Sequence, residues 1–156
     1  MKKKENKNLL LTDSRNKYLK LSIDSAKHNE ANDCTVRALS LTCDISYDKA
    51  HEIFKNLGRK NRHGVPRYIT FQAIKRAGKN FEEIKIEEFI LSKYPKSQHF
   101  RKTVTPKHPF LFKKVWQDGN SYMMFVKGHV LAIVNGEVLD WSENRAFRAN
   151  CLIKIV

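Results

Sequence analysis

The chain has 156 residues, 41% of them hydrophobic, and its 30 Lys and Arg against 16 Asp and Glu give a formal net charge of +14. This composition fits one domain with a real apolar core and excludes an intrinsically disordered chain. No apolar run approaches the roughly 18–20 residues that cross a bilayer, and the N-terminal one is shorter than the roughly 7–15 residues of a signal-peptide core. We therefore expect a cytoplasmic protein that is not secreted and has no membrane partner.

The three cysteines are Cys34, Cys43 and Cys151. Their odd number and wide spacing argue against a disulfide framework, and none is spaced from another Cys or a His as in a metal site. We expect free thiols in a reducing compartment, with no metal and no cofactor.

The N-terminal residues 1–16 are polar and basic, and we predict a flexible segment followed by a single domain over residues 17–156. Loose alternation of apolar side chains over 16–23 favours a short strand. The polar stretch 24–33 has no periodic pattern and is predicted to be a loop.

An apolar helix is predicted from Asp33 to Cys43, with Asn32 or Asp33 as its cap. Because the segment is apolar almost all round except at Arg37, the helix should be central and buried. Cys43 faces the core on this spacing and is assigned a packing role.

Three further helices are predicted from capping and stop signals. The first is capped by Ser46 and ends before Gly58, with His51 on its surface flank. The second runs from Thr70 to Ala77. The third starts at Thr105-Pro106 and ends near Trp116.

The loop Arg59–Arg67, RKNRHGVPR, is the densest positive patch in the chain. It could contact nucleic acid or an acidic partner through Arg59, Lys60, Arg62 and Arg67. The pattern is unspecific, because no aromatic residue is interleaved to stack on bases. The charge also fits a lysine-rich, solvated surface.

Strands are predicted at 81–86 and, in the C-terminal part, at 121–126, 129–134, 137–141 and 151–156. The chain therefore has α+β character, with helices first and an antiparallel sheet last.

Asn135-Gly136 lies between two of these strands and is a strong signal for a two-residue type I′ turn. That turn places Leu131 opposite Asp140, and residues two apart on a strand share a face. His129 and Asp140 are then diagonal neighbours with Cα atoms about 7–8 Å apart, which lets an imidazole nitrogen reach the carboxylate. Such a pair suits a general base of fixed tautomer.

Cys34 stands where a polar turn enters the apolar helix. A helix start stabilises a thiolate, the form of cysteine that attacks carbonyl carbon. A lone cysteine in such a place is more often a small buried residue. If the sheet packs on this helix, however, His129 lies over Cys34, and the two ionise together as thiolate and imidazolium.

This order of cysteine, histidine and carboxylate resembles the papain-like cysteine peptidase superfamily. More narrowly, the blocks NDCTVRALSLTCDISYDKAHEIFKNLGRKN and GHVLAIVNGEVLDW look like small papain-like proteins encoded by bacteriophages. The resemblance covers about residues 28–156. It implies a central helix packed on an antiparallel sheet, with Cys34 as nucleophile, His129 as base and Asp140 as the orienting group.

The superfamily usually places a polar side chain, often Gln, a few residues before the nucleophile to complete an oxyanion hole. No Gln occurs there in this chain, so Asn29 and Asn32 are the candidates, since an Asn side chain can donate to an oxyanion. Asn29 is slightly preferred because capping or loop bonding can occupy Asn32.

Three functions remain open. The first is a hydrolase of peptide, isopeptide or other amide bonds, or an acyl transferase, acting on a host or viral protein if the chain is phage-encoded. The second is a basic nucleic-acid-binding protein on a peptidase-like scaffold. The third is a structural or inhibitory protein that binds a host partner.

Overall fold

The described part of the chain comprises residues 13–86, 88, 118–140 and 149–156 of a computed structural model. Its elements are α1 (Asp13–Lys27), α2 (Cys34–Cys43), α3 (Tyr47–Asn56), α4 (Arg67–Arg76), β1 (Phe81–Ile84), β2 (Ser121–Val126), β3 (His129–Val134), β4 (Glu137–Leu139) and β5 (Cys151–Ile155). The predicted α+β class is confirmed.

The strands form one antiparallel sheet in the order β1-β5-β2-β3-β4. Each strand ends within about two residues of its predicted end, the usual uncertainty of such boundaries. β2 and β3 are joined by a two-residue turn at Lys127 and Gly128, because Val126 pairs with His129.

The turn between β3 and β4 is the predicted one. Asn135 and Gly136 both have positive φ, +52° and +77°, as a type I′ turn requires. Val134 pairs with Glu137, and the next two pairs follow in register. The predicted pairing is therefore confirmed as far as β4 extends, and Asp140 comes directly after it.

α2 is the central helix. Eight of its ten residues are buried, and it packs against β3 while contacting the other three helices of the described chain. Its predicted burial is confirmed, and Cys43 at its far end lies in the core.

Both faces of the sheet are buried. Val130 and Ala132 belong to the core that the helices share, whereas Leu131 and Ile133 belong to a second apolar cluster. Because side chains alternate along a strand, the pattern alone would send His129 to the face of Leu131, away from α2.

The strand predicted over 16–23 is wrong, because α1 runs through it. Tyr18 and Leu21 are buried one helical turn apart, and they mark the inner face of α1. Leu19 and Ile23 produced the apparent alternation, but both are largely exposed.

Two helices begin at residues where no helix start was predicted. α1 begins at Asp13, inside the segment 1–16 that was predicted to be flexible. α4 begins at Arg67, where Pro66 provides the extended residue before the first turn. The predicted cap, Thr70, is buried within α4, and its hydroxyl has no partner among the described residues.

α3 agrees with its predicted signals. The Ser46 side chain accepts a hydrogen bond from the Lys49 amide at 3.1 Å. Gly58 follows the helix with φ +97°. The helix predicted from Thr105 to Trp116 lies outside the described residues.

Replacing Gly136 by Ala is expected to destabilise the domain, because a residue with a side chain is strained at φ +77°. The expected loss is about 1–2 kcal/mol in the free energy of unfolding, measured by urea denaturation. Gly64→Ala is the control: an added Cβ there meets nothing within 4 Å and φ is not left-handed, so no loss is expected. Equal stability of Gly136→Ala and wild type would contradict the turn.

Candidate active site

Cys34 is the first residue of α2, at the end where helix amide groups have no intrahelical acceptor. The positive end of the helix dipole lies at the same place. Cys34 is half-buried, whereas Cys43 and Cys151 are buried. Of the three thiols, Cys34 is therefore the one that a substrate can reach.

Asp33 occupies the N-cap position, but its side chain makes no capping hydrogen bond. The Tyr47 hydroxyl donates to the carboxylate at 2.8 Å, and Arg37 Nε lies 3.3 Å from both oxygens. Burial raises the pKa of Asp33, but hydrogen bonds from Ser25 and Tyr47 and the charge of Arg37 outweigh it and lower that pKa overall. The predicted side-chain cap is wrong, and Asp33 instead ties the start of α2 to α1 and α3.

His129 and Asp140 meet at the end of the β3–β4 hairpin. Nε2 of His129 lies 2.9 Å from Oδ2 of Asp140, and the side chains are only 12% and 7% exposed. Cys34 lines the same cavity as both side chains, and its interaction with the ring helps to raise the pKa of His129. With Nε2 on the carboxylate, we assign the contact with the thiol to Nδ1. The three side chains predicted to form the triad thus line one cavity, and two of them are joined by a hydrogen bond.

The charge on His129 follows from these two neighbours. Burial acts to lower the pKa of His129, but its hydrogen bonds with Asp140 and Cys34 outweigh burial and raise that pKa to about 9. The ring is therefore protonated at neutral pH and can donate from both nitrogens. An imidazolium next to a cysteine stabilises the thiolate.

His129 reaches Cys34 because it lies at the end of its strand. It opens β3 beside Gly128, whose φ is +70°, and Asp140 follows the last residue of β4. The cavity that they line also includes Val130 and Leu139, which face the helical layer. The alternation of side chains along the strands therefore places His129 and Asp140 next to each other correctly. It does not predict that they lie on the helical side of the sheet, where Cys34 is.

Two cavities meet at Cys34. One has a volume of about 840 Å³ and the other about 490 Å³. Their shared walls are Cys34, Gly64, Gly128, His129 and Val130. The thiol and the imidazole therefore lie on the ridge between the cavities and can be approached from either side.

Both cavities combine polar and apolar walls. The larger includes Arg37 and Lys127 beside Leu139, and the smaller includes Arg67 beside Phe125.

Of the two predicted oxyanion donors, Asn32 lines the larger cavity and Asn29 does not. The side-chain and main-chain oxygens of Asn29 accept from Arg62 Nη1 at 3.3 and 3.2 Å. Nδ2 of Asn32 donates to the Arg62 carbonyl at 3.1 Å, which leaves its second hydrogen for a substrate oxygen. Of the two candidates, Asn32 is therefore the one placed at the cavity of Cys34, and its role as an oxyanion donor stays a prediction.

Sequence reasoning missed Glu30, whose side chain is fully shielded from solvent. Its carboxylate accepts from Arg59 Nη1 at 2.5 Å, His51 Nε2 at 2.7 Å and the Arg62 amide at 2.7 Å. Burial alone would raise the pKa of Glu30, but hydrogen bonds from Arg59 and the Arg62 amide hold that pKa at about 2. One acidic residue in an unpatterned polar loop has no periodic signal that could have marked it.

The surface position predicted for His51 is also wrong. Besides Glu30, the ring stacks on His28 with centroids 4.3 Å apart. His28 in turn contacts Asp48 at 2.7 Å. The inner side of α3 thus packs against the loop that precedes Cys34.

The four basic residues predicted to contact a partner differ in their exposure and in their contacts. Arg59 is 2% exposed and paired with Glu30, so it is not available to nucleic acid. Arg62 holds Asn29 and Asn32, and Arg67 lies over the Phe125 ring, 5.2 Å from its centroid. Lys60, Arg62 and Arg67 are all exposed.

Comparisons with known proteins give no match: no family model, no curated protein and no solved structure matches the chain. Within the described ranges, no helix combines the length and hydropathy needed to cross a bilayer. No group of His, Cys, Asp and Glu side chains in the same ranges is arranged to hold a metal ion. What indicates a function is therefore the geometry of the site itself.

Asp140→Asn is expected to bring the pKa of His129 from about 9 back toward, or below, its ordinary 6.5, because burial then acts with less opposition. Titration of the His129 ring protons by NMR measures this value. Asp48→Asn, which removes a carboxylate from His28 instead, is the control and should leave His129 unchanged. A pKa that stays near 9 without Asp140 would rule out this account of the charge.

The same shift sets the sign of a stability change. Because the folded-state pKa of His129 lies above 6.5, its proton stabilises the fold below about pH 6.5, and this contribution is lost as the pH rises through about 9. Wild type should therefore exceed Asp140→Asn in stability most at about pH 6, and the difference should shrink toward pH 10.

Proposed function

We propose that this protein is a cysteine-dependent hydrolase of peptide, isopeptide or related amide bonds, with a papain-like fold. The observation that carries the proposal is the placement of Cys34 in one cavity with the hydrogen-bonded pair of His129 and Asp140, where a second cavity also reaches the thiol and the imidazole. A packing role for Cys34 would not require a protonated, carboxylate-bound histidine beside a half-buried thiol. The buried helix α2 packed on the antiparallel sheet supports the papain-like assignment.

The proposed reaction begins with attack of the Cys34 thiolate on the substrate carbonyl carbon. A C–S bond forms, and the carbonyl electron pair moves onto oxygen. The main-chain N–H of Cys34 and the free Nδ2 hydrogen of Asn32 would donate to that oxyanion. Asp140 keeps the imidazolium oriented during this step without taking its proton.

Collapse of the tetrahedral intermediate then breaks the C–N bond. The leaving nitrogen takes the proton of His129, which leaves a neutral imidazole and a thioester on Cys34. A water molecule attacks the thioester and gives its proton to His129. The C–S bond breaks, an acid product leaves, and the thiolate–imidazolium pair is restored.

An amine in place of water would give acyl transfer by the same steps. Hydrolysis is proposed because both cavities open onto the reacting atoms and give water access to the thioester. The same openings bear on the size of the substrate. An extended chain that occupies both cavities places its bond over Cys34, whereas a small amide would use only one of them.

The net charge of +14 favours a second candidate, a scaffold that binds nucleic acid or an acidic protein. Burial of Arg59 removes one charge from the predicted contact patch. Such binding would weaken steeply with salt and would survive Cys34→Ala.

Wild-type protein is expected to cleave a subset of peptides in a proteome-derived library, and Cys34→Ala is expected to cleave none, because the attacking sulfur is gone. Mass spectrometry of new peptide termini measures cleavage. Cys43→Ala, which alters the buried cysteine at the other end of α2, is the control and should cleave the same peptides. Equal cleavage by Cys34→Ala would refute the proposed role of Cys34, and salt-sensitive nucleic-acid binding without any cleavage would favour the second candidate.

A further inference from the structure

Two loops run side by side next to the candidate active site, residues 28–33 before α2 and residues 59–65 before α4. Asn29, Asn32 and Arg62 lie in these loops and have φ of +50°, +53° and +66°. Asn tolerates this left-handed region, but a long side chain such as that of Arg62 rarely adopts it. A strained residue persists only where its surroundings fix it.

Glu30 and Asn32 fix Arg62 from opposite ends of the residue. The Arg62 amide donates to Glu30 Oε1 at 2.7 Å, and its carbonyl accepts from Asn32 Nδ2 at 3.1 Å. Glu30 also binds Arg59 through two nitrogens, at 2.5 and 3.2 Å. The Arg62 peptide is thus held against a carboxylate that is itself immobile.

The same contacts set the direction of the Asn32 side chain. One hydrogen of Nδ2 points at the Arg62 carbonyl, and the planar amide then determines where the other hydrogen lies. Because Asn32 lines the larger cavity with Cys34, a rotation of the Arg62 carbonyl would move that second hydrogen relative to the reacting carbonyl.

We propose that Glu30 is a positioning residue for the oxyanion site and acts through Arg62 on the side-chain amide of Asn32. This inference rests on the proposed acyl chemistry at Cys34. It assigns to a buried carboxylate, outside the triad and both cavities, control over how well the oxyanion is held.

A charged anchor suits this task. The Glu30 carboxylate receives hydrogen bonds from a guanidinium, an imidazole and main-chain amides. Hydrogen bonds to a charged group are stronger and more directional than those between neutral groups. Sites held by such surrounding contacts keep the close tolerances that oxyanion stabilisation needs.

The test uses Glu30→Gln and Asn32→Ala, singly and together, on a peptide that wild type cleaves. Loss of one oxyanion donor typically lowers kcat about 10²–10³-fold, so Glu30→Gln should lower kcat by about tenfold or more with KM nearly unchanged. The double variant should be no slower than Asn32→Ala, because both changes remove the same contact. Alkylation of Cys34 by iodoacetamide at about pH 6 should keep its rate, since the thiolate–imidazolium pair is untouched.

Two further variants control for folding. Glu30→Gln leaves the Arg59 charge buried without its partner, so Glu30→Met with Arg59→Met removes both charges together. The Glu30→Met, Arg59→Met variant should lower kcat by about tenfold or more, and it provides the test if Glu30→Gln does not fold. Asp48→Asn removes the exposed carboxylate from the same histidine stack and should leave kcat unchanged.

The outcomes separate the two proposals. A Glu30→Met, Arg59→Met variant with wild-type kcat, or losses from positions 30 and 32 that multiply, would overturn the positioning role. Failure of wild type to cleave any peptide would count against the proposed function itself. The NMR resonances of the Asn32 side-chain amide then decide the positioning claim, which requires that they shift when Glu30 is replaced.

Discussion

The hydrogen bond between His129 and Asp140 is the contact on which the rest of the site depends. It opposes the effect of burial on the imidazole and keeps the ring charged at neutral pH. It also occupies Nε2, so that the other ring nitrogen can face Cys34. The proposed mechanism also depends on the packing of α2 on β3, which brings the first residue of α2 to the cavity that holds that ring.

Much of this arrangement could be predicted from local patterns. The Asn135-Gly136 turn determined the register that brings His129 next to Asp140, because a two-residue turn leaves no freedom in the pairing. The segment from Cys34 to Cys43 predicted a buried helix because apart from Arg37 it has no strongly polar face. Each of these two signals is contained in a short stretch of the chain.

What could not be predicted depends on contacts between distant segments. Glu30 bonds to Arg59 and Arg62, about 30 residues away, and no pattern in a polar loop reports such a pair. Asn29 and Asn32 have similar sequence surroundings, and only the folded chain shows that Asn32 lines the larger cavity and Asn29 does not. Leu19 and Ile23 suggested a strand because the sequence does not distinguish exposed apolar residues from buried ones.

The proposed function requires that Cys34 and His129 form a thiolate–imidazolium pair before substrate binds. Ultraviolet absorbance of the thiolate, measured against pH as the difference between wild type and Cys34→Ser, tests it without knowledge of the substrate. The account predicts a thiolate signal already present at neutral pH in wild type and displaced to alkaline pH in His129→Ala. A wild-type signal that appears only at alkaline pH, at the same place as in His129→Ala, would contradict it.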